Sequence, residues 1–187
     1  SKEDPAVPRA ALGVSENDFL IVNIGRLVPE KSQITILRAL ARLKDKALKL
    51  VILGDGELKD ELSVFAKENG LDVIFKGFVR NPGGYLRAGD LFIMSSALEG
   101  FSLVTVEAFK NRIPALVSDL PVLREIVEDG VTGLFFEAGN AEALAEGIQK
   151  FKTGAVDAKT MTEKGYARFG DFTADRYFDK LFALYKK

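Results

Sequence analysis

Apolar runs of strand length alternate along the chain with stretches in which apolar residues recur every three or four positions. The runs are Phe19 to Ile24, Leu48 to Leu53, Val73 to Phe75, Asp90 to Met94, Pro114 to Val117 and Gly133 to Phe136. Most are continuously hydrophobic, the pattern of strands covered on both faces. Between them, Ile34, Leu37, Leu40 and Ala41 mark one helix face, and Leu58, Leu62, Phe65 and Ala66 mark another that Asn69-Gly70 should stop. Pro121 with Leu123, Ile126 and Val127 reads as a short helix, and Leu144, Ile148 and Phe151 as a helix capped by Asn140 and weakened by Gly147. Past Lys152 the strands stop, and two helices are expected, over Ala158 to Phe169 and from Thr173 through Phe178, Leu181, Phe182 and Tyr185. Strand and helix in alternation predict an α/β fold: a doubly wound, six-stranded parallel sheet with C-terminal helices. Residues 1–17, with Pro5 and Pro8, read as a linker or lead-in, and residues 18–187 as one domain.

Composition narrows the chemistry. With 26 Lys and Arg against 27 Asp and Glu in 187 residues, no global basic field is available for nucleic acid or an anionic membrane. The chain has no cysteine and no histidine, which removes disulfides, thiolate and imidazole metal ligands, cysteine nucleophiles and imidazole bases. There is no apolar run long enough to span a bilayer and no signal-peptide core, so a cytoplasmic protein is expected. The first residue is Ser1, not Met, which suggests a trimmed or excised piece of a longer chain.

In an open parallel sheet, ligands bind beyond the carboxyl ends of the strands, so the loops there carry the information. After the first strand, Gly25-Arg26-Leu27-Val28-Pro29-Glu30-Lys31 sets two cations before a helix opening near Ser32. Such cations reinforce the free N–H groups of a helix start and make an anion site; alternatively both are solvated surface residues. After the fourth strand, Glu99 and Gly100 precede a helix opening near Ser102, with Glu107 about 7–8 Å along its axis. Two acids bracketing a helix start would suit a diphosphate flanked by hydroxyl groups; the plainer reading is a Glu complementing the dipole and an unrelated loop Glu. Gly54-Asp55-Gly56 is a lone GxG turn, and the loop after the first strand has neither a dinucleotide fingerprint nor a P-loop. No Asp-x-Asp pair is present to hold a divalent ion on a diphosphate, so no metal site is expected. Gly77-Phe78-Val79-Arg80-Asn81 could present backbone groups to a planar base or be an ordinary turn.

Together these segments resemble the C-terminal, donor-binding half of a family 4 (group 1) glycosyltransferase, one half of a GT-B fold with a Rossmann-like sheet. The resemblance rests on Gly25-Arg26-Leu27 with Lys31, Gly54-Asp55-Gly56, Gly77-Phe78-Val79 and Ser96-Ala97-Leu98-Glu99-Gly100-Phe101 running to Glu107. Asp119-Leu120-Pro121, Glu125-Ile126, Asp129-Gly130 and Gly133 continue it in order. It implies retaining, metal-independent transfer of a hexosyl group from a nucleotide-diphosphate sugar to a glycan or lipid-linked acceptor. It also implies a preceding acceptor-binding domain as partner, no bound cofactor, and a cytoplasmic enzyme peripheral to the inner face of the membrane. Arg26 and Lys31 would neutralise the diphosphate, Glu99 would hydrogen-bond the donor sugar, and Glu107 the ribose. Gly100, Phe101, Ser102 and Leu103 would offer backbone N–H groups, and Val79 would lie against the base. By the same resemblance the isolated chain would bind donor without turning over.

The chain departs from the family pattern in three places. Ser32 stands where Gly or Asn is frequent, Ser102 where a second Gly is, and Lys110-Asn111-Arg112-Ile113 replaces a small-residue, Gly-ending stretch. A nucleotide-sugar epimerase shares the architecture and is the nearest enzymatic alternative. A non-catalytic nucleotide-binding module is the other; a receiver domain would need acids where Asn23-Ile24-Gly25-Arg26 stands. A glycosidase using Glu99 and Glu107 would leave the two cations unexplained.

Overall fold

The computed structural model describes residues 5–172. Six strands, β1 (Phe19–Ile24), β2 (Leu48–Leu53), β3 (Asp72–Gly77), β4 (Leu91–Met94), β5 (Ala115–Ser118) and β6 (Leu134–Phe136), form one sheet. Their order is β3-β2-β1-β4-β5-β6, and every pair is parallel. Among the described residues, five α-helices connect them, α1 (Gln33–Leu43), α2 (Lys59–Glu68), α3 (Gly83–Ala88), α4 (Leu103–Lys110) and α5 (Pro121–Arg124), and α6 (Ala141–Lys152) and α7 (Ala158–Phe169) follow β6.

Side chains alternate across each strand, so a continuous apolar run feeds two cores. Ile21, Leu50, Ile52 and Ile93 pack on one face with Ile36, Leu37 and Leu40 of α1, Leu62 of α2 and Ile148 of α6. Leu20, Val22, Val51 and Phe92 pack on the other with Leu86 of α3, Phe109 of α4 and Leu123 of α5. Strand order reverses between β1 and β4, whose carboxyl ends therefore diverge into loops going opposite ways, which is where a doubly wound sheet opens a crevice.

Several boundaries differ from expectation. β3 runs from Asp72 to Gly77, while β4, β5 and β6 each start one residue later than expected. The Asp90 carboxylate ties down the end of the sheet instead: it accepts from the Leu20 amide at 2.7 Å and from Arg9 at 2.9 Å. Helix α3 has no counterpart in the apolar pattern, because it is six residues long and starts with Gly83-Gly84. A Cβ at Gly84 would lie 2.8 Å from the Pro5 carbonyl oxygen, so its absence lets the lead-in approach closely. The lead-in is correspondingly packed: the Val7 amide donates to Gly84 O at 2.9 Å, and Leu12 and Val14 are buried. Gly147 is not a weak point in α6. A Cβ there would meet Leu116 Cδ2 at 2.8 Å, so its absence lets α6 lie close on β5. The expected stop at Asn69-Gly70 and the Asn140 cap are present, with Gly70 at φ 59° and Asn140 Oδ1 accepting from Glu142 and Ala143. The helix expected from Thr173 lies outside the described residues.

Candidate donor site at the switch point of the sheet

The loop after β1 runs tightly over the turn after β2. The Leu27 amide donates to Asp55 O at 2.9 Å and the Leu58 amide to Leu27 O at 3.0 Å. A Cβ at Gly54 would fall 1.9 Å from Gly25 O, and one at Gly56 2.4 Å from Leu27 O, so only glycines let the two loops touch. The Gly-Asp-Gly turn thus seats the backbone that carries Arg26. A single 3-10 turn, Pro29–Lys31, follows, and Ser32 then adopts φ 48° before α1 starts. That left-handed conformation accounts for Gly or Asn being the easier residue at this position.

The loop after β4 closes on this turn from the other side. The Ala97 amide donates to Glu30 O at 2.8 Å, and Ser95 Oγ donates to Lys31 O at 2.8 Å. Lys31 Nζ reaches Glu99 Oε2 at 2.6 Å, with the two side chains 22% and 10% exposed. Ser96 Oγ lies 3.2 Å from the same oxygen. Glu99 Oε1 has no partner among the described residues, nor is there a second partner for the Lys31 ammonium, which carries three donors.

Helix α4 opens beside this pair. Ser102 caps it, its Oγ accepting from the Thr105 amide at 3.3 Å and pairing with Thr105 Oγ1 at 2.8 Å. The amides of Gly100, Phe101 and Ser102 donate to nothing among the described residues, whereas the Leu103 amide is taken by Phe101 O at 3.1 Å. Three of the four expected N–H groups are therefore available to an anion, and the fourth is satisfied internally. Unbonded amides at a helix start carry fixed positive potential.

The remaining expected residues make no hydrogen bond or ion pair with Lys31 or Glu99. Arg26 is exposed and its guanidinium makes no hydrogen bond or ion pair among the described residues. Val79 is half-buried against the core, while its neighbour Phe78 is 82% exposed. Glu107 Oε1 accepts from Lys110 Nζ at 3.3 Å and from Asn111 Nδ2 at 3.0 Å. Among the described residues no group of three His, Cys, Asp or Glu side chains could hold a metal ion. A cavity of about 810 Å³ lies at the opposite end of the sheet, lined by Lys44, Lys49 and Asp72, away from all of these residues.

Gln33, outside the loop motifs, also supports the turn after β1. It is 1% exposed, and its Nε2 donates to Arg26 O at 2.9 Å, bracing the cationic loop from below. Its signal was a polar residue on the stripe of Leu37 and Leu40, four and seven positions on.

The family model for group 1 glycosyl transferases matches residues 7–168. The chain belongs to this family. Among curated relatives, the N-acetylgalactosamine-N,N'-diacetylbacillosaminyl-diphospho-undecaprenol 4-alpha-N-acetylgalactosaminyltransferase of Campylobacter jejuni is 36% identical over 144 residues, covering 75% of this chain and 39% of that protein. The lipopolysaccharide core biosynthesis glycosyltransferase LpsE of Rhizobium meliloti is 29% identical over 182 residues, covering 96% of this chain and 53% of that protein. The present group 1 chain thus spans about half or less of the length of these relatives. The crystal structure of Anabaena HepE in complex with UDP superposes with a TM-score of 0.81 at 29% identity, covering 87% of this chain and 46% of that one. The same protein in complex with UDP-glucose gives 0.81 at 28%, with coverage of 87% and 46%. Both the family and the Rossmann-like α/β architecture of a GT-B half agree with the expectation from sequence.

Proposed function

We propose that this chain is the donor-binding half of a retaining glycosyltransferase that transfers a hexosyl group from a nucleoside-diphosphate sugar to a glycan or lipid-linked acceptor. The observation that carries the reading is the junction at the switch point. A cation and a carboxylate from loops on either side are locked together beside a helix start with three unbonded amides. UDP and UDP-glucose in complex with the similar Anabaena protein support a nucleotide donor of that kind.

Each group then has a task. Lys31, with donors to spare beyond Glu99, and Arg26 meet the diphosphate charge together with the amides of Gly100, Phe101 and Ser102. Glu99 accepts a sugar hydroxyl on Oε1, the oxygen left open by Lys31 and Ser96. Glu107 receives the ribose hydroxyls, and the loop with Phe78 and Val79 receives the base. Catalysis is then stabilisation of charge gathering on the departing diphosphate, in a geometry fixed before the reaction. Two cations and the helix start supply this without a divalent ion, so transfer persists in chelator. The acceptor is bound by a preceding domain of the longer enzyme, working in the cytoplasm at the inner membrane face, and this chain alone binds donor without transfer.

Calorimetry with uridine, guanosine and adenosine diphosphates and their sugar conjugates tests the reading. One of them should bind and raise thermal stability, and Lys31→Ala and Arg26→Ala should each cost about 1.5–3 kcal/mol of binding, the range for hydrogen bonds to charged groups. Equal binding by wild type and both variants overturns the site. Sugar transfer by these 187 residues alone overturns the division of labour. An inverted anomeric configuration in the product of the full-length enzyme, read by NMR, overturns retention.

A further inference from the structure

Within the stretch Lys110-Asn111-Arg112-Ile113, which departs from the family pattern, Lys110 and Asn111 both bond to Glu107. Asn111 closes α4 and is 5% exposed. Its Nδ2 donates to Glu107 O at 2.8 Å and to Glu107 Oε1 at 3.0 Å. Its Oδ1 accepts from Arg87 Nη1 of α3, 24 positions earlier in the chain. A guanidinium has donors and no acceptor, so the amide of Asn111 can face Arg87 only with its oxygen, and its nitrogen must then face Glu107. Gly83 makes room for the pair: a Cβ there would lie 2.9 Å from Asn111 Oδ1 and 3.3 Å from Arg87 Nη1. Both side-chain partners of Glu107, Asn111 and Lys110, act on Oε1, and Oε2 has none among the described residues.

We infer that Asn111 and Arg87 are positioning residues that hold the Glu107 carboxylate by one oxygen so that the other accepts from the ribose hydroxyls of the donor. The inference rests on the proposed role of Glu107 at the ribose. Neither Asn111 nor Arg87 touches the nucleotide; each acts through the carboxylate. Arg87 fixes which way the amide faces, and the amide fixes the carboxylate. A carboxylate anchored in advance loses less rotamer freedom when ligand binds, and this preorganisation separates a held acceptor from a free one.

The experiment compares binding of a nucleoside diphosphate with that of its 2′,3′-dideoxy counterpart, using whichever of the uridine, guanosine or adenosine compounds binds wild type best. Their affinity ratio reads the ribose contact and cancels any general loosening of the diphosphate site. Wild type should prefer the hydroxylated ligand by about 10-fold or more, the value of a hydrogen bond to a charged group. Glu107→Ala should bring the ratio to about one. Asn111→Ala and Arg87→Met should lower it at least threefold with little change in affinity for the dideoxy ligand, and Arg87→Lys, which keeps a donor toward Oδ1, should restore much of it. Should Asn111→Ala not fold, the Arg87→Met and Arg87→Lys pair decides. A collapsed ratio in Glu107→Ala beside wild-type ratios in Arg87→Met and Asn111→Ala overturns the positioning role and leaves Glu107 at the ribose. An unchanged ratio in Glu107→Ala overturns both.

Discussion

The Lys31–Glu99 pair can be weighed quantitatively, because it is neither a surface ion pair nor a fully buried one. At 2.6 Å the gross attraction is about 6 kcal/mol for an effective dielectric near 20. Desolvation offsets most of that, since Glu99 is 10% exposed and Lys31 22%. The net value should lie above the about 0–1 kcal/mol of exposed pairs and within the about 1.5–3 kcal/mol of hydrogen bonds to charged groups. Lys31→Ala leaves the carboxylate with only Ser96 near it and should cost about 2 kcal/mol. Glu99→Gln keeps an oxygen for both Lys31 and Ser96 and should cost about 1 kcal/mol. The double variant should cost less than the sum of these, with a coupling of about 1 kcal/mol. Urea unfolding followed by far-UV circular dichroism reads this directly, because a slope near 2 kcal/mol/M turns 2 kcal/mol into a midpoint shift of about 1 M. A coupling below about 0.3 kcal/mol, the scatter of independent sites, would show that the two loops are not joined through this pair.

Four further outcomes follow from the geometry. Gly54→Ala should destabilise the fold by at least about 1–3 kcal/mol, the cost of overpacking, and abolish nucleotide binding, because its Cβ at 1.9 Å from Gly25 O must displace the loop carrying Arg26; thermal shift and calorimetry check both. Gly147→Ala should destabilise despite its better helix propensity, because the added methyl meets Leu116 Cδ2 at 2.8 Å, and a rise in melting temperature would refute the close-packing role. Arg112→Gly should be about 1 kcal/mol more stable than Arg112→Ala, because the position has φ 54° and both variants lose the stack of Arg112 on Tyr166; equal urea midpoints would refute it. Stability should also fall in acid. A hydrogen bond from Lys152 holds the Asp45 carboxyl below its ordinary value, and hydrogen bonds from Ser15 and Thr160 do the same for Asp18 and Asp157. Groups with depressed folded-state values contribute stability that is complete above the ordinary carboxylate pKa of about 4 and is lost as pH drops through the folded value. With no histidine to charge between pH 5 and 8, urea midpoints should be nearly level there and decline below about pH 4, less steeply in Asp45→Asn.

The sheet was legible because its inner strands are buried on both faces, which writes runs such as Leu-Ile-Val at 20–22 into the chain. Helix α3 was not, because its start is two glycines chosen for close approach to Pro5 and to Asn111, a requirement set by distant residues. Gly147 reads as a weakness from sequence for the same reason: propensity describes an isolated helix, and Leu116 belongs to another element. In the candidate site, the juxtaposition of Lys31 and Glu99 was legible from their places in the loops after β1 and β4. Gln33 left a readable sign, a polar residue on an apolar stripe. The link from Arg87 to Asn111 left none, since it depends on how α3 and α4 pack and no local pattern carries that information.

Backbone conformation sorts the departures from the family pattern. Ser32 and Arg112 sit at φ 48° and 54°, the region glycine enters most cheaply, so each keeps the geometry of the pattern at a local conformational cost. At Arg112 the turn is intact in detail: the Ile113 amide donates to Ala108 O at 3.3 Å and the Arg112 amide to Phe109 O at 3.1 Å, the two bonds that close a helix end around a left-handed residue. Ser102 differs from both. Its φ is −88°, which any residue adopts, and its hydroxyl caps α4 while its own amide stays unbonded. The substitution of serine for glycine there therefore adds a side-chain function without removing an anion donor. None of the three changes dismantles the junction of the β1 and β4 loops. Under the proposed function, selectivity among donors is therefore expected at the free oxygens of Glu99 and Glu107.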